Sequence, residues 1–272
     1  AMGDGEKGFV ERERQSALEF ARIAADRGVH RIIYLGGLGR RDTETSAHLH
    51  SRHQTGDLLR SGSVPVTELR AAMIVGSGSA SFEMLRHLTE KLPVMVCPRW
   101  IETRTQPISI EDTLAYLMAA LDTPETAGRI LDIGGRDVLT YREMMQTYAS
   151  IKGLQRIILT VPVLTPRLSA YWVNLMTPIP ASIAFPLIEG LKTETICEND
   201  TAIRLMPIPQ MPFRESVERA IQATDKLEVP TRWTGAQQGT IPLNFNSGAT
   251  PTSALLHDQR VVNTSASAHA LH

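Results

Sequence analysis

The stretch Arg31-Ile-Ile-Tyr-Leu-Gly-Gly-Leu-Gly39 constrains this chain more than any other. A short β-branched and apolar run closes abruptly on glycines. Such a run reads as a buried parallel strand, Arg31 to Leu35, whose carboxyl end opens into a glycine-lined crevice of the kind in which open α/β sheets take ligands. Ahead of it, Phe9 to Arg27 places Phe9, Val10, Ala17, Phe20, Ala21 and Ala24 near one face at helical spacing. Gly28 is placed to end that helix in the left-handed conformation. Helix, very short turn and buried strand make one half of a βαβ crossover. The other half, a preceding strand, is expected ahead of Ala1, so the sequence reads as the later part of a nucleotide-binding domain.

The pattern continues in the same sense. A polar loop from Arg40 to Ser46 leads to a helix from Ala47 to Arg60 that Gly62 closes, and Val64 to Leu69 reads as the next strand, with Pro65 at its start. Its exit, Ala71-Ala72-Met73, is small-sided and faces the same crevice as Gly36 and Gly37. A helix begins near Ser77 to Ala80 and ends by Pro93, after which Val94 to Pro107 reads as irregular. Ser109-Ile-Glu-Asp112 and Thr140-Tyr-Arg-Glu143 are capping-box starts for helices reaching Leu121 and Ile151. Arg129 to Ile133 and Ile157 to Val161 read as strands, and Phe213 to Thr224 as an amphipathic helix. The fold class is therefore α/β, an incomplete Rossmann-like doubly wound parallel sheet with a partly helical substrate-side region from Gly134 to Thr224. Beyond Asp225, Thr231 to Ser253 is a polar, Pro- and Gly-rich linker or disordered tail, and Leu255 to Val262 resembles the first strand of a further module. The expected division is 1–225 for the nucleotide-binding part and 226–272 for the linker and the start of another domain.

Charge excludes one large class of partner. With a net charge of -1 over 272 residues and no dense Lys/Arg cluster, the chain offers nucleic acid no electrostatic footprint. A small-molecule substrate or a protein partner is expected instead. Cys97 and Cys197 have neither metal-knuckle nor redox-pair spacing, which fits a reducing, cytoplasmic setting. The amino terminus has no basic segment followed by an apolar core, so it is not a secretory signal. Between Arg167 and Glu189 no side chain is charged, but Pro178, Pro180 and Pro186 divide the run into pieces too short to span a bilayer. It reads as a groove-lining helical hairpin, with a peripheral membrane contact through Leu168 to Ile188 as the alternative.

Taken as an ordered series, Tyr34-Leu-Gly-Gly-Leu-Gly39, Ser46-Ala-His-Leu-His-Ser-Arg52, Pro65-Val-Thr-Glu-Leu-Arg-Ala-Ala72, Gly76-Ser-Gly-Ser-Ala-Ser-Phe82, Val96-Cys-Pro-Arg-Trp100 and Gln106-Pro-Ile108 resemble the atypical short-chain dehydrogenase/reductase family. The nearest branch is the NAD(P)H-binding group of the NmrA-like redox sensors and the accessory nucleotide-binding subunit of respiratory complex I. The resemblance covers residues 4 to 225. It implies NAD(P)H as cofactor and, ahead of Ala1, an opening βαβαβ unit whose Gly-rich turn cradles the pyrophosphate. It also implies that the parent protein is longer at both ends.

Family chemistry rests on a Ser, a Tyr and, four residues on, a Lys, the Tyr acting as general acid or base. By the resemblance, Gly37, His48 and Arg52 occupy those positions, so the apparatus is substituted. His48 has the titration range of a proton shuttle, and Arg52 is a permanent cation suited to a ribose or phosphate. The plain alternative is a helix whose His48, His50 and His53 are solvated or internally satisfied. No metal is expected: His48 and His53 are five apart, off the i, i+4 face that two ligands share. Gly36 and Gly37 are expected to admit the nicotinamide half of the cofactor, with Ala71, Ala72 and Met73 beside the ring. Arg70 reads as a ligand or as half of a structural ion pair. Arg99, Trp100, Arg104 and Gln106 read as a substrate-side wall, an aromatic plate with donors, or else as a surface loop stapled by Trp100.

Two functions follow from this resemblance. The first is an NAD(P)H-dependent oxidoreductase or epimerase-like enzyme acting on an apolar small molecule. The second is a non-catalytic NAD(P)H-binding sensor or scaffold, which the loss of the Tyr/Lys pair favours.

Overall fold

The computed structural model describes residues 3–39, 47–161 and 190–225, all of which belong to one unit, Ala1–Ala236. Expectations for the Arg40 to Ser46 loop, the uncharged run before Glu189 and everything beyond Asp225 lie outside the described residues.

Helix α1 (Gly3–Asp26) leads through Gly28, at φ 66°, into strand β1 (Ile32–Gly37). Helix α2 (Ala47–Arg60) returns the chain to β2 (Val66–Ala71), which pairs in parallel with β1 from Ile32↔Val66 to Gly37↔Ala71. The short β3 (Ile74–Val75) is followed by α3 (Ala80–Lys91) and then by β4 (Val94–Pro98). A 3-10 turn at Arg99–Glu102 precedes two short strands, β5 (Arg104–Thr105) and β6 (Ile108–Ser109), and helix α4 (Ile110–Asp122). Strands β7 (Ile130–Ile133) and β8 (Leu139–Thr140), helix α5 (Tyr141–Ile151) and strand β9 (Ile157–Val161) follow. Helices α6 (Thr201–Leu205) and α7 (Phe213–Asp225) end the described chain.

The main sheet runs β1-β2-β7, all parallel. Strand period two separates its faces. Ile32, Val66 and Tyr34 join Ala17, Ala21, Ala24 and Leu59 of α1 and α2 on one side, while Ile33, Leu35, Leu69, Ala71, Leu131 and Ile133 join Tyr116 and Ala120 of α4 on the other. A strand covered on both faces has no solvent side to favour polar residues at alternate positions, which is why the Ile32 to Leu35 run does not alternate. Among the described residues β1 has one neighbour, β2.

One expectation is corrected. Val94 to Pro98 is a strand, paired in parallel with β9 from Val94↔Ile157 to Pro98↔Val161. Its alternation is apolar on both faces, Met95 and Cys97 buried and Val94 and Val96 exposed, and the flanking Pro93 and Pro98 disguise it as loop. The caps agree with the sequence more closely. Thr140 and Glu143 make a full reciprocal capping box, whereas Ser109 Oγ caps α4 by accepting from Asp112 N at 2.8 Å and the Asp112 carboxylate turns away to accept from Met211 N at 2.9 Å.

Candidate functional site

The carboxyl ends of β1 and β2 open into a cavity of about 200 Å³. Its sheet side is Gly37 and Leu38 from β1 and its exit, and Ala71, Ala72 and Met73 from β2 and its exit. The opposite wall is apolar and comes from two helices: Met84, Leu85 and Leu88 from α3, and Tyr141 and Met145 from α5. Trp100 meets Tyr141 edge-on, with ring centroids 6.2 Å apart. Leu49 and Arg52 of α2 close one flank, and Gly190, Leu191 and Thr195 close another.

Small residues at the strand ends are what a flat ring requires for close approach. Gly37 has no side chain, and a Cβ there would meet Leu49 Cδ1 at 2.7 Å. Gly39 is at φ 152° with a Cβ position 2.4 Å from Leu49 Cδ2, so a side chain is strained twice over. Gly36 serves a different purpose: it lies against Tyr34 and the Glu68 carboxylate rather than lining the cavity.

Arg52 is half-buried in the wall, and Glu13 of α1 takes its guanidinium while also accepting from Ser51 Oγ. Its Nε is buried without a hydrogen-bond partner. Tyr34 Oη donates to Arg52 O at 3.2 Å, which fixes this turn of α2 against β1. His48 falls in the first turn of α2, and the role expected of its side chain lies outside the described residues. His50 is exposed. His53 is buried with Nε2 at 3.1 Å from Gly37 O, an internally satisfied position that ties α2 to the strand end.

Of the residues expected on the substrate side, Trp100 lines the cavity. Arg99 is exposed, and Arg104 points to solvent in an ion pair with Glu194. Gln106 stitches two loops: its amide nitrogen donates to Gly135 O at 2.8 Å, and its carbonyl accepts from Cys197 N at 3.0 Å. Arg70 is in a buried ion pair, Nε to Glu68 Oε1 at 2.8 Å, and Arg60 pairs with the same fully buried carboxylate. That pairing is the structural alternative expected for Arg70, since a buried charge requires a partner.

The wall on α3 and α5 was not singled out from sequence. Met84 and Leu88, like Tyr141 and Met145, are i, i+4 pairs, and that spacing is equally the signature of core. No signal in the sequence links Leu191 and Thr195 to a strand end more than a hundred residues earlier.

Electrostatically the cavity is quiet. Burial pushes the Tyr141 phenol far above its ordinary value, so it stays protonated throughout the physiological range. Burial likewise raises Cys197 to about 12 and Cys97 to about 11, and neither thiol is activated as a nucleophile. No helix among the described residues is long and apolar enough to cross a membrane.

No protein-family model matches this chain, and no curated protein matches it. Solved structures do. The triphenylmethane reductase of Citrobacter sp. is similar with a TM-score of 0.58 at 19% identity, covering 76% of this chain and 70% of that one. An NADPH-dependent quinone oxidoreductase of Escherichia coli is similar with a TM-score of 0.61 at 16% identity, covering 75% and 72%. A UDP-glucuronic acid 4-epimerase of Bacillus cereus, solved in complex with NAD, has a TM-score of 0.56 at 12% identity, covering 78% and 67%. The first two were also solved with NADP(H) and NADPH respectively. The chain shares the Rossmann-like fold of these dinucleotide-binding reductases and epimerases, the fold of the atypical short-chain dehydrogenase/reductases.

Proposed function

We propose that this chain carries the nicotinamide-side and substrate-side walls of an NAD(P)H-dependent oxidoreductase that acts on an apolar small molecule. The observation that supports this most strongly is the composition of the cavity at the ends of β1 and β2. Glycine and alanine on its sheet side leave room for a flat ring, and a methionine, leucine and aromatic wall faces them. A bound dihydronicotinamide supplies a hydride there. Gly37, Ala71, Ala72 and Met73 are the residues that would lie beside such a ring, the small ones leaving room for it and Met73 limiting its depth. Arg52 stands in the lining with its guanidinium held by Glu13. The apolar wall excludes water from the reacting face and selects an uncharged acceptor.

The same wall separates two classes among the structural neighbours. A sugar nucleotide needs cations along its diphosphate, whereas among the described residues the lining offers one cation, Arg52, which Glu13 already holds. A quinone is the kind of molecule that one of the neighbouring reductases is named for, and a planar, uncharged aromatic acceptor suits this wall. NADPH and NADH fluorescence titration, followed by single-turnover oxidation of the reduced dinucleotide with aryl ketones and quinones, and by a separate assay of NAD+ reduction by UDP-sugars, tests the proposal. Turnover with the aromatic acceptors and none with UDP-sugars supports it; binding without turnover on either overturns the enzymatic part.

A second reading rests on one specific observation. His48 and Arg52 stand where the family resemblance puts Tyr and Lys, and Arg52 is ion-paired to α1. A protein that binds the dinucleotide without turning it over, and that passes the change through Glu13 to α1, fits that arrangement.

A further inference from the structure

Strands β4 and β9 form a parallel ribbon with one face on the core and the other in solvent. Met95 and Cys97 are buried on the inner face, and Ile158 packs against the same core cluster. The outer face carries Val94 and Val96 beside Ile157 and Leu159, in register as Val94↔Ile157 and Val96↔Leu159. All four are between 45% and 58% exposed. A sheet face turned to water ordinarily carries polar residues; this one is apolar in both strands. The charge around it is one-sided. Lys91 and Arg99 bracket β4, and Lys152 follows α5 on the way to β9. All three are exposed and have no ion-pair partner among the described residues. The neighbouring carboxylates are engaged: Arg142 holds Glu102, and Glu90 accepts the Tyr148 hydroxyl. Arg156, just ahead of β9, adds a further positive charge, donating to Glu90 O at 2.8 Å.

From this we infer that the outer face of the β4–β9 ribbon is a docking surface for an anionic lipid bilayer. Val94, Val96, Ile157 and Leu159 enter the boundary between headgroups and acyl chains, and Lys91, Arg99 and Lys152 meet the lipid phosphates around them. Apolar burial and basic attraction are individually weak at such a surface and hold a protein there together. A second copy of the chain suits the ribbon less well. Four half-exposed side chains fall well short of the ~800 Å² that each partner of a stable dimer buries, and two copies face to face would bring two sets of unneutralised cations together. The exposed apolar row on α4, Ile110, Leu114, Met118 and Leu121, lacks the same complement: its helix contains no Lys or Arg and carries Glu111 and Asp122.

Flotation of the full chain with vesicles of phosphatidylcholine alone, and of phosphatidylcholine mixed equally with phosphatidylserine, tests the surface. The protein should float with the anionic vesicles, less so at high salt, and stay behind with the neutral ones. Val96→Thr combined with Leu159→Thr should lower the partition coefficient about tenfold. Lys91→Gln combined with Lys152→Gln should lower it about tenfold as well, whereas Met118→Gln on α4 should leave it unchanged. All these positions are exposed, and circular dichroism checks that each variant is folded. No flotation with anionic vesicles, flotation indifferent to either double variant, or an equal loss in Met118→Gln overturns the assignment. Sedimentation equilibrium that shows a dimer dissolved by Val96→Thr with Leu159→Thr overturns it in favour of a second copy.

Discussion

Glu13 of α1 grips the guanidinium of Arg52 of α2 at the edge of the cavity and accepts the Ser51 hydroxyl as well. One carboxylate thus anchors the first described helix to the flank of the candidate site. Replacing Glu13 with Gln removes the charge but keeps an acceptor, and the pair is only partly exposed, so a loss of about 1 kcal/mol is expected. Urea unfolding of Glu13→Gln should show a lower midpoint with an unchanged slope. An unchanged midpoint would mean that α1 is held by its alanine face alone.

Gly56 of α2 packs against the buried Glu68 carboxylate, and a Cβ there would lie 2.5 Å from Glu68 Oε2. Alanine in a helix interior normally gains about 1 kcal/mol over glycine. Here Arg60 and Arg70 fix the carboxylate from either side, so it cannot retreat. Displacing a buried, paired charge costs about 3 kcal/mol, and that term wins. Gly56→Ala should therefore destabilise, measured by the unfolding midpoint, and a stabilised variant would contradict the assigned packing.

The capping box at the start of α5 gives a pH dependence. Thr140 backbone N–H and hydroxyl donate to Glu143 and hold its carboxyl below the ordinary value. A depressed folded pKa means that the contribution is present above the unfolded value and is lost as pH falls through the folded one. Thr140→Ala should cost about 1 kcal/mol at neutral pH, and the difference from wild type should shrink in acid. A difference independent of pH would assign the effect to the Thr140 side chain alone.

The thiols give the opposite sign. Burial raises Cys97 to about 11 and Cys197 to about 12, so the folded state keeps protons that the unfolded state releases near pH 9. Above that pH the unfolded chain binds fewer protons, and stability falls as pH rises. At pH 8 labelling of both by a thiol reagent should be at least ~100-fold slower than for a free cysteine. Rapid labelling of Cys197 would place it in a more open setting.

The strands that build the sheet were legible from short runs rich in Val, Ile and Leu: Arg31 to Leu35, Val64 to Leu69 and Arg129 to Ile133 correspond to the β1, β2 and β7 that form it, although Glu68 and Asp132 interrupt the last two. Gly28 and the Thr140 box were legible because a positive φ and a paired cap demand particular residue types. Strand β4 was hidden by its prolines. Within the site, Gly37, Ala71, Ala72, Met73, Arg52 and Trp100 come together around one cavity. Arg99, Arg104 and Gln106 lie close to Trp100 in sequence but do not reach the cavity, because the 3-10 turn and the β5–β8 pairing turn them towards solvent and the 194–197 loop. Thr195 reaches the site only through tertiary bridging to Thr105, a contact ninety residues apart that periodicity cannot report.

The most direct test of the account is titration of NADPH and NADH, followed by fluorescence, into the parent protein and its Gly37→Trp variant, with single-turnover oxidation by a naphthoquinone in the same cell. Saturable binding that Gly37→Trp abolishes, with oxidation by the quinone and no reduction of NAD+ by a UDP-sugar, is the predicted result. Binding indifferent to Gly37→Trp, or turnover of the UDP-sugar alone, would contradict the placement of the reaction in the cavity at the ends of β1 and β2.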